Sequence, residues 1–205
     1  MTIMKSATGI IIATKIEAEP FIQGFGLETI EKKPVPVMGN NAIVLAISDI
    51  GKTNAAIATS HLIQKFQPTR ICNLGAAGAV DRNFKIGDIL HIDKIYELDR
   101  PRLPSDDPVV HKPDTLKGFR TVSLATQDRP VLKDLDRMAA GKLADLVDME
   151  GAAVVQVCQA FGISVNIFKI VTDTAGCTPR EILVNMLKTR DSLFEFFRDR
   201  VLPKI

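Results

Sequence analysis

Two acidic residues, Glu150 and Asp173, occupy positions from which a folded sheet would bring them together. Glu150 precedes a small, apolar run, Gly151 to Phe161, which is typical of a buried helix packed on a sheet. Ile163 to Val171 follows as a buried strand and leads directly into Thr172 and Asp173. Because ligands of open α/β sheets bind beyond the carboxyl ends of the strands, we expect both acids to reach one pocket.

Each acid also has a structural interpretation. An acid at the start of a helix commonly complements the helix dipole, and an acid just after a strand is commonly a cap or a turn residue. Taken alone, either residue is more often structural than functional. The combination of the two with their flanking residues is what favours a site.

The rest of the chain alternates predicted strands with predicted helices. The strands are Thr8–Thr14, Ala42–Ile47, Arg70–Leu74, Ile86–Ile92 and Arg120–Ala125, and the helices are Glu17–Phe25, Thr53–Phe66 and one within Pro179–Val201. The stretch from Leu98 to Asp114 is rich in proline and aspartate, which predicts a surface loop. The alternation predicts an α/β fold with helices on both faces of a sheet, in a single domain over residues 1–205.

Composition restricts the class of protein. Of 205 residues, 46% are hydrophobic and 24% charged, which is ordinary for a soluble globular domain. The formal net charge of +2 is too small to favour nucleic acid or a membrane surface as a partner. We also expect neither a membrane-spanning helix nor a signal peptide, because the apolar runs are short and no cleavage-site pattern follows Lys5.

Cysteine and histidine usage argues against a metal site. The three cysteines are spaced unlike any metal-ligand set, and the three histidines are scattered: Cys72, Cys158, Cys177, His61, His91 and His111. An odd number of cysteines, two of them in apolar elements, predicts reduced thiols and a cytoplasmic protein.

Several motifs together resemble one known family. Met149-Glu150-Gly-Ala-Ala, one helix, one strand and then Thr172-Asp173-Thr-Ala resemble the closing motifs of the nucleoside phosphorylase and nucleosidase superfamily. Further motifs match at Ser48–Lys52 with Asn54-Ala55-Ala56, at Asn73–Gly78 and at Ile86–Ile89. The chain is most similar to the methylthioadenosine/adenosylhomocysteine nucleosidase-like branch. The resemblance implies a three-layer sandwich with a twisted mixed sheet, a small-molecule nucleoside substrate, no cofactor and a homodimer.

The resemblance also implies roles for individual residues. Asp173 would protonate or hydrogen-bond the leaving base, and Glu150 would hold the ribose hydroxyls and stabilise the positive charge that develops on the sugar. The substrate would also contact Met149 under the sugar, Ile50 near the 5′ substituent, the glycine-rich turn at Ala76, Ala77 and Gly78, and the segment of Gln127 and Asp128. For Asp173 to act as an acid, burial would have to favour its protonated form. Lys169, four residues earlier, would share its face of the strand and pair with it, or would be a plain surface or core-edge lysine.

The identity of the nucleophile depends on the first strand. In the nucleosidase branch a glutamate after this strand activates water, and the match falls on Glu17, with Glu19 as the second candidate. Phosphorylases of the hexameric branch bind phosphate with arginines and a serine. Asn73 and Ala76 occupy an arginine and a serine position of that site. Water is therefore the predicted nucleophile.

The predicted activity is a purine nucleosidase acting on an adenosine-type or 5′-modified nucleoside. Two alternatives remain, a purine nucleoside phosphorylase and a non-catalytic nucleoside-binding protein of the same fold. One departure from the family affects the substrate. Arg129-Pro130 stand where methylthioadenosine nucleosidases usually carry a phenylalanine stacked on the base, which leaves the identity of the base open.

Overall fold

A computed structural model describes residues 8–80, 83–101 and 107–205. The described residues form one mixed sheet of ten strands: β1 Thr8–Ile12, β2 Glu28–Glu31, β3 Val37–Gly39, β4 Ile43–Ile47, β5 Arg70–Ala79, β6 Ile89–Pro101, β7 Pro108–His111, β8 Thr121–Thr126, β9 Leu146–Asp148 and β10 Ser164–Asp173. The helices are α1 Lys15–Gly24, α2 Lys52–Phe66, α3 Asp134–Ala140, α4 Gly151–Phe161 and α5 Pro179–Phe196, and α5 continues into helical turns at Phe197–Val201 and Leu202–Lys204.

Half of the sheet closes on itself. β5 pairs in parallel with β10, β10 antiparallel with β6, β6 in parallel with β8, β8 in parallel with β9, and β9 antiparallel with β5. This ring of five strands continues on the other side of β5 as an open sheet in the order β1, β4, β3, β2. β1, β4, β5 and β10 run parallel, so their carboxyl ends meet at one edge.

Helices cover both faces of the sheet. α2 and α4 pack on one face, where Leu62 of α2 and Val154 of α4 belong to one buried cluster with Ile11 and Ile71 of the strands. α1 and α5 cover the other face, where Phe21 and Leu193 are buried. Glycine is needed where α2 approaches β1, because a Cβ on Gly9 would lie 2.5 Å from Ile71 and 3.1 Å from Leu62. The predicted α/β three-layer fold with a mixed sheet is confirmed.

Two local predictions are wrong. The stretch from Leu98 to Asp114 is not one surface loop, because β6 runs on to Pro101 and pairs with β7 as a hairpin. Pro101 and Pro108 face each other at the ends of the two strands, and residues 102–106 lie outside the described residues. The glycine-rich segment from Gly75 to Ala79 is not a turn either. It continues β5, since β10 supplies a pairing strand as far as Gly78.

The described residues contain no helix that is long and apolar enough to cross a membrane. Their three cysteines are free thiols, with Cys72 and Cys158 buried.

Candidate active site

One cavity of about 210 Å³ opens where the parallel strands end. Its wall is built from the segments after β1 and β4, from the ends of β5, β9 and β10, from the segment after β8 and from one side of α5. These contribute Ala13, Thr14, Glu17, Ile50, Ala76, Ala77, Gly78, Arg129, Pro130, Val131, Leu132, Val147, Asp148, Met149, Glu150, Thr172, Asp173, Ile182 and Met186. Four of these side chains are carboxylic acids, and one, Arg129, is basic.

Glu17 is held in place by the start of α1. Thr14 is the N-cap of that helix, and its hydroxyl and backbone N–H both donate to Oε2 of Glu17, at 2.6 and 3.1 Å. The other oxygen, Oε1, accepts the backbone N–H of Ala76 at 2.8 Å. A capping box of this kind fixes the side chain. A carboxylate oxygen accepts about two hydrogen bonds, so Oε1, which accepts one from the protein, still has a lone pair available for water.

The two candidate bases have different surroundings. Glu17 is buried and lines the cavity, whereas Glu19 is half-exposed and forms an ion pair with Arg190 of α5 at 2.6 Å. Since a general base must be within hydrogen-bond reach of the proton that it removes, this placement favours Glu17.

Glu150 is free to face the cavity because another acid caps the helix that it precedes. Oδ2 of Asp148 accepts the first N–H of α4, from Gly151, at 2.8 Å, and Asp148 also pairs with Lys169 Nζ at 2.8 Å. Glu150 instead accepts the backbone N–H of Gly51 at 2.9 Å, from the turn after β4. The structural interpretation of a helix-start acid therefore applies to Asp148.

The charge of Glu150 is sensitive to pH. Its pKa is raised to about 7, mainly by burial and also by the neighbouring Asp148 and Glu17, against the lowering effects of Lys169 and the Gly51 N–H. An uncharged carboxyl group has only one strong acceptor oxygen, whereas a carboxylate has two. Glu150 can hold two vicinal hydroxyl groups best in its ionised form.

Asp173 ends β10 and is paired with an arginine. Nη2 of Arg137 in α3 donates to its Oδ2, and the Thr172 hydroxyl donates to Oδ1 at 3.1 Å. Both partners of the ion pair are buried. Both oxygens of the Asp173 carboxyl group are therefore held by a donor.

Of the two interpretations of Lys169, the ion pair with Asp173 does not form. Lys169 is 1% exposed and binds Asp148, so it is not a surface lysine either. The reason is a bulge in β10 between Val171 and Asp173, which inserts one residue and reverses the alternation of side chains. Positions 169 and 173 consequently do not share a face.

Two glycines of β5 make room for carboxylates. A Cβ on Gly78 would lie 2.6 Å from Oδ2 of Asp173 and 3.2 Å from Nη1 of Arg137. Gly75 has φ +158 and lies against Glu17, whose Oε1 would be 3.0 Å from an added Cβ. Both glycines therefore lie against carboxyl groups of the site. The structure shows that they let acidic side chains approach the strand.

The other predicted site residues divide into two groups. Ile50, Ala76, Ala77, Gly78 and Met149 line the cavity together with Glu17, Glu150 and Asp173. Gln127 and Asp128 lie in the adjacent turn, outside the set of described residues that line the cavity. The Gln127 amide donates to the Arg129 carbonyl, and Asp128 accepts the Lys52 N–H at 2.7 Å.

Sequence reasoning missed Asp148, Val131, Leu132 and, above all, Arg137. Asp148 stands in the motif itself, two residues before Glu150. No sequence pattern points from Arg137 to Asp173, because the two are 36 positions apart and α3 was not predicted.

Comparison with known proteins shows the family of this chain. A family model described as the phosphorylase superfamily matches residues 7–130 and 114–199. The chain belongs to this superfamily. A 5′-methylthioadenosine/S-adenosylhomocysteine nucleosidase of Halalkalibacterium halodurans is 30% identical over 173 residues, which cover 72% of this chain and 74% of the relative. The same-named enzyme of Staphylococcus aureus is 28% identical over 170 residues, covering 68% and 72%.

Solved structures of superfamily members share the fold. Futalosine hydrolase of Helicobacter pylori superposes with a TM-score of 0.85 at 21% identity, covering 96% of this chain and 97% of that one. The 5′-methylthioadenosine/S-adenosylhomocysteine nucleosidase of Campylobacter jejuni gives 0.81 at 23% identity, covering 93% and 96%. The resemblance to the nucleosidase-like branch of the superfamily is confirmed.

Proposed function

We propose that this superfamily member is a purine nucleosidase, which hydrolyses the N-glycosidic bond of an adenosine-type or 5′-modified nucleoside without a cofactor. The related nucleosidases support the reaction class. The cavity supports it independently, because three carboxylic acids from different elements line one site of about 210 Å³.

The reaction assigns one task to each acid. Asp173 donates a proton to the base as the bond to the sugar breaks and its electron pair moves to the base. Glu150 accepts hydrogen bonds from the ribose hydroxyls, and its negative charge stabilises the cationic sugar. Water attacks the anomeric carbon and gives its proton to Glu17, which leaves free base and free sugar. Proton exchange with solvent then restores Asp173 and Glu17.

The observation that carries the choice of water is the contact between Glu17 and Ala76. A phosphate dianion needs convergent donors such as backbone N–H groups, and the Ala76 N–H is already bound to Oε1 of Glu17. The negative charge of Glu17 also disfavours phosphate at this point of the wall, whereas a carboxylate can orient water. These features favour hydrolysis over phosphorolysis.

The test is a panel of purine nucleosides incubated with purified protein in phosphate-free buffer and in buffer with phosphate. We expect release of base at similar rates in both, with free ribose or its 5′-substituted form as the second product. Strict dependence on phosphate, with ribose 1-phosphate as product, would establish the phosphorylase. Binding without turnover would establish the non-catalytic alternative.

We further propose that the protein is a cytoplasmic homodimer. The reduced thiols support the compartment. Apolar side chains near the cavity support association, since Leu135 and Met138 of α3 are 79% and 68% exposed and Ile50 lies at the rim. Light scattering coupled to gel filtration tests this, and a monomeric mass at micromolar concentration would exclude the dimer.

A further inference from the structure

α3 exposes its large apolar side chains and buries a charged one, unlike an ordinary amphipathic helix. Its apolar residues Leu135 and Met138 face outward, while its buried residues are Arg137 and Ala140. Burying a guanidinium is costly unless it is paired and hydrogen-bonded. Since α3 has seven residues and little apolar surface to bury, its inward arginine needs a specific reason.

The partners of Arg137 supply that reason. Nη2 donates to Asp173, and Nη1 donates to the carbonyl oxygen of Ala79 at 2.7 Å. The guanidinium thus spans the ends of β10 and β5. Gly78 leaves the space in which the pair forms, because a Cβ there would lie within 3.2 Å of both partners.

Arg137 also connects Asp173 to another part of the cavity wall. The segment Arg129–Leu132 lines the cavity and leads into α3. Val131 of this segment and Ala140 of α3 share a small buried cluster with Val147 of β9. Arg137 itself lies behind Asp173, outside the described residues that line the cavity.

We infer that Arg137 is a positioning residue of the reaction, whose guanidinium fixes the Asp173 carboxyl group and anchors the 129–132 segment beside it. This inference rests on the proposed role of Asp173 as the acid. When Asp173 has given its proton to the base, its carboxylate faces a guanidinium that is already in place. Pre-placed charge of this kind stabilises the state that forms during bond cleavage without reorganisation.

The kinetic test compares Arg137→Met, Arg137→Lys, Asp173→Asn and the Arg137→Met/Asp173→Asn double variant, with Arg198→Met as the matched removal of a half-exposed arginine. We expect Arg137→Met to lower kcat by about 10²-fold, with a much smaller change in KM, because a misplaced catalytic group costs about this much. Arg137→Lys should recover part of the loss, and millimolar guanidinium should partly rescue Arg137→Met. Arg198→Met should match the wild type.

The double variant separates positioning from general loss of structure. If Arg137 acts through Asp173, adding Arg137→Met to Asp173→Asn should cost no more than about twofold, since residues that act as a unit are not additive. The inference would be overturned if the double variant lost kcat by the product of the two single-variant factors. It would also be overturned if Arg137→Met kept the wild-type kcat. If Arg137→Met does not fold, as circular dichroism would show, then Arg137→Lys decides by the same comparison.

A structural measurement tests the role of Arg137 independently of the proposed enzymatic activity. Crystal structures of the wild type and of Arg137→Lys report the Asp173 carboxyl group whether or not the protein turns over. We expect one ordered position in the wild type and a displaced or divided one in the variant. An inactive wild type would refute the nucleosidase and leave this comparison decisive. An unchanged Asp173 would refute the role of Arg137.

Discussion

Asp173 and Glu150 face the same cavity and are equally buried, at 7% exposure each, yet their partners differ. Asp173 contacts the guanidinium of Arg137. Lys169 acts electrostatically on Glu150 but forms its ion pair with Asp148, and Glu150 accepts a backbone N–H from Gly51. Burial raises the pKa of Glu150 to about 7. The two acids of this site therefore differ in whether a cation contacts them, and not in how deeply they are buried.

The largest expected effect comes from removing the acid. Asp173→Asn keeps the shape but cannot donate a proton to the base, and general acid catalysis contributes about 10² to 10⁴-fold. We expect kcat to fall by that factor in a steady-state assay of base release. Asp199→Asn, at an exposed ion pair with Arg198, is the control. If Asp173→Asn kept more than about half of the rate, Asp173 would not be the acid.

Removing the cation beside Glu150 should affect stability most. Lys169→Met leaves Asp148 buried without its ion-pair partner, which typically costs about 3–5 kcal/mol. Urea unfolding near neutral pH measures this loss. The matched control is Lys65→Met, because Lys65 is half-exposed in its ion pair with Glu31 and such pairs contribute about 0–1 kcal/mol. If both variants lost the same free energy of unfolding, the buried ion pair would stabilise the protein no more than the exposed one.

The third acid, Glu17, tests which of the two candidate bases activates water. Glu17→Gln should lower turnover by about 10²-fold or more, because it removes the group that deprotonates water. Glu19→Gln should leave turnover nearly unchanged, since Glu19 pairs with Arg190 away from the cavity. The reverse result would move the base by two residues and leave the mechanism intact.

The smallest effect is the pH dependence of Glu150. With a pKa of about 7, its carboxylate fraction falls as the pH drops below 7, and kcat/KM should fall by up to about tenfold per pH unit. Glu150→Gln should be less active and should lack this limb of the profile. A limb that survives in Glu150→Gln would belong to another group.

The same pKa affects stability with a defined sign. The folded protein binds the Glu150 proton more tightly than the unfolded chain does, where the pKa is near 4.5. The associated stabilisation is complete below pH 4.5 and is lost as the pH rises through about 7, by up to about 3 kcal/mol. Urea unfolding at pH 5 and pH 8 should therefore show a larger pH effect in the wild type than in Glu150→Gln.

Much of the fold followed from local pattern. Helix α4 has the predicted bounds, because its small apolar residues, its Gly162 end and its buried position agree. The hairpin of β6 and β7 was missed because prolines and aspartates at strand ends resemble those of a loop. The ring closure was also out of reach, since it depends on pairing between strands that are distant in sequence.

In the candidate site, only the cavity-lining residues that belong to recognisable motifs could be predicted from the sequence. Glu17, Glu150 and Asp173 were named from motifs that resemble those of the superfamily, and they do line one cavity. Their partners were not predictable. Lys169 was assigned to the wrong acid because a bulge changes the strand's alternation. Arg137 was missed because α3 buries an arginine and exposes Leu135 and Met138, the reverse of what hydrophobicity favours.

The closed ring of β5, β10, β6, β8 and β9 has a consequence for hydrogen exchange. A strand in the ring is bonded on both sides, whereas β2 lies at the outer end of the sheet. Local opening under native conditions begins where fewest bonds must break, so amides of Glu28–Glu31 should exchange with solvent long before those of β5 and β10. Fraying of the outer sheet therefore stops short of the strands that hold the acids.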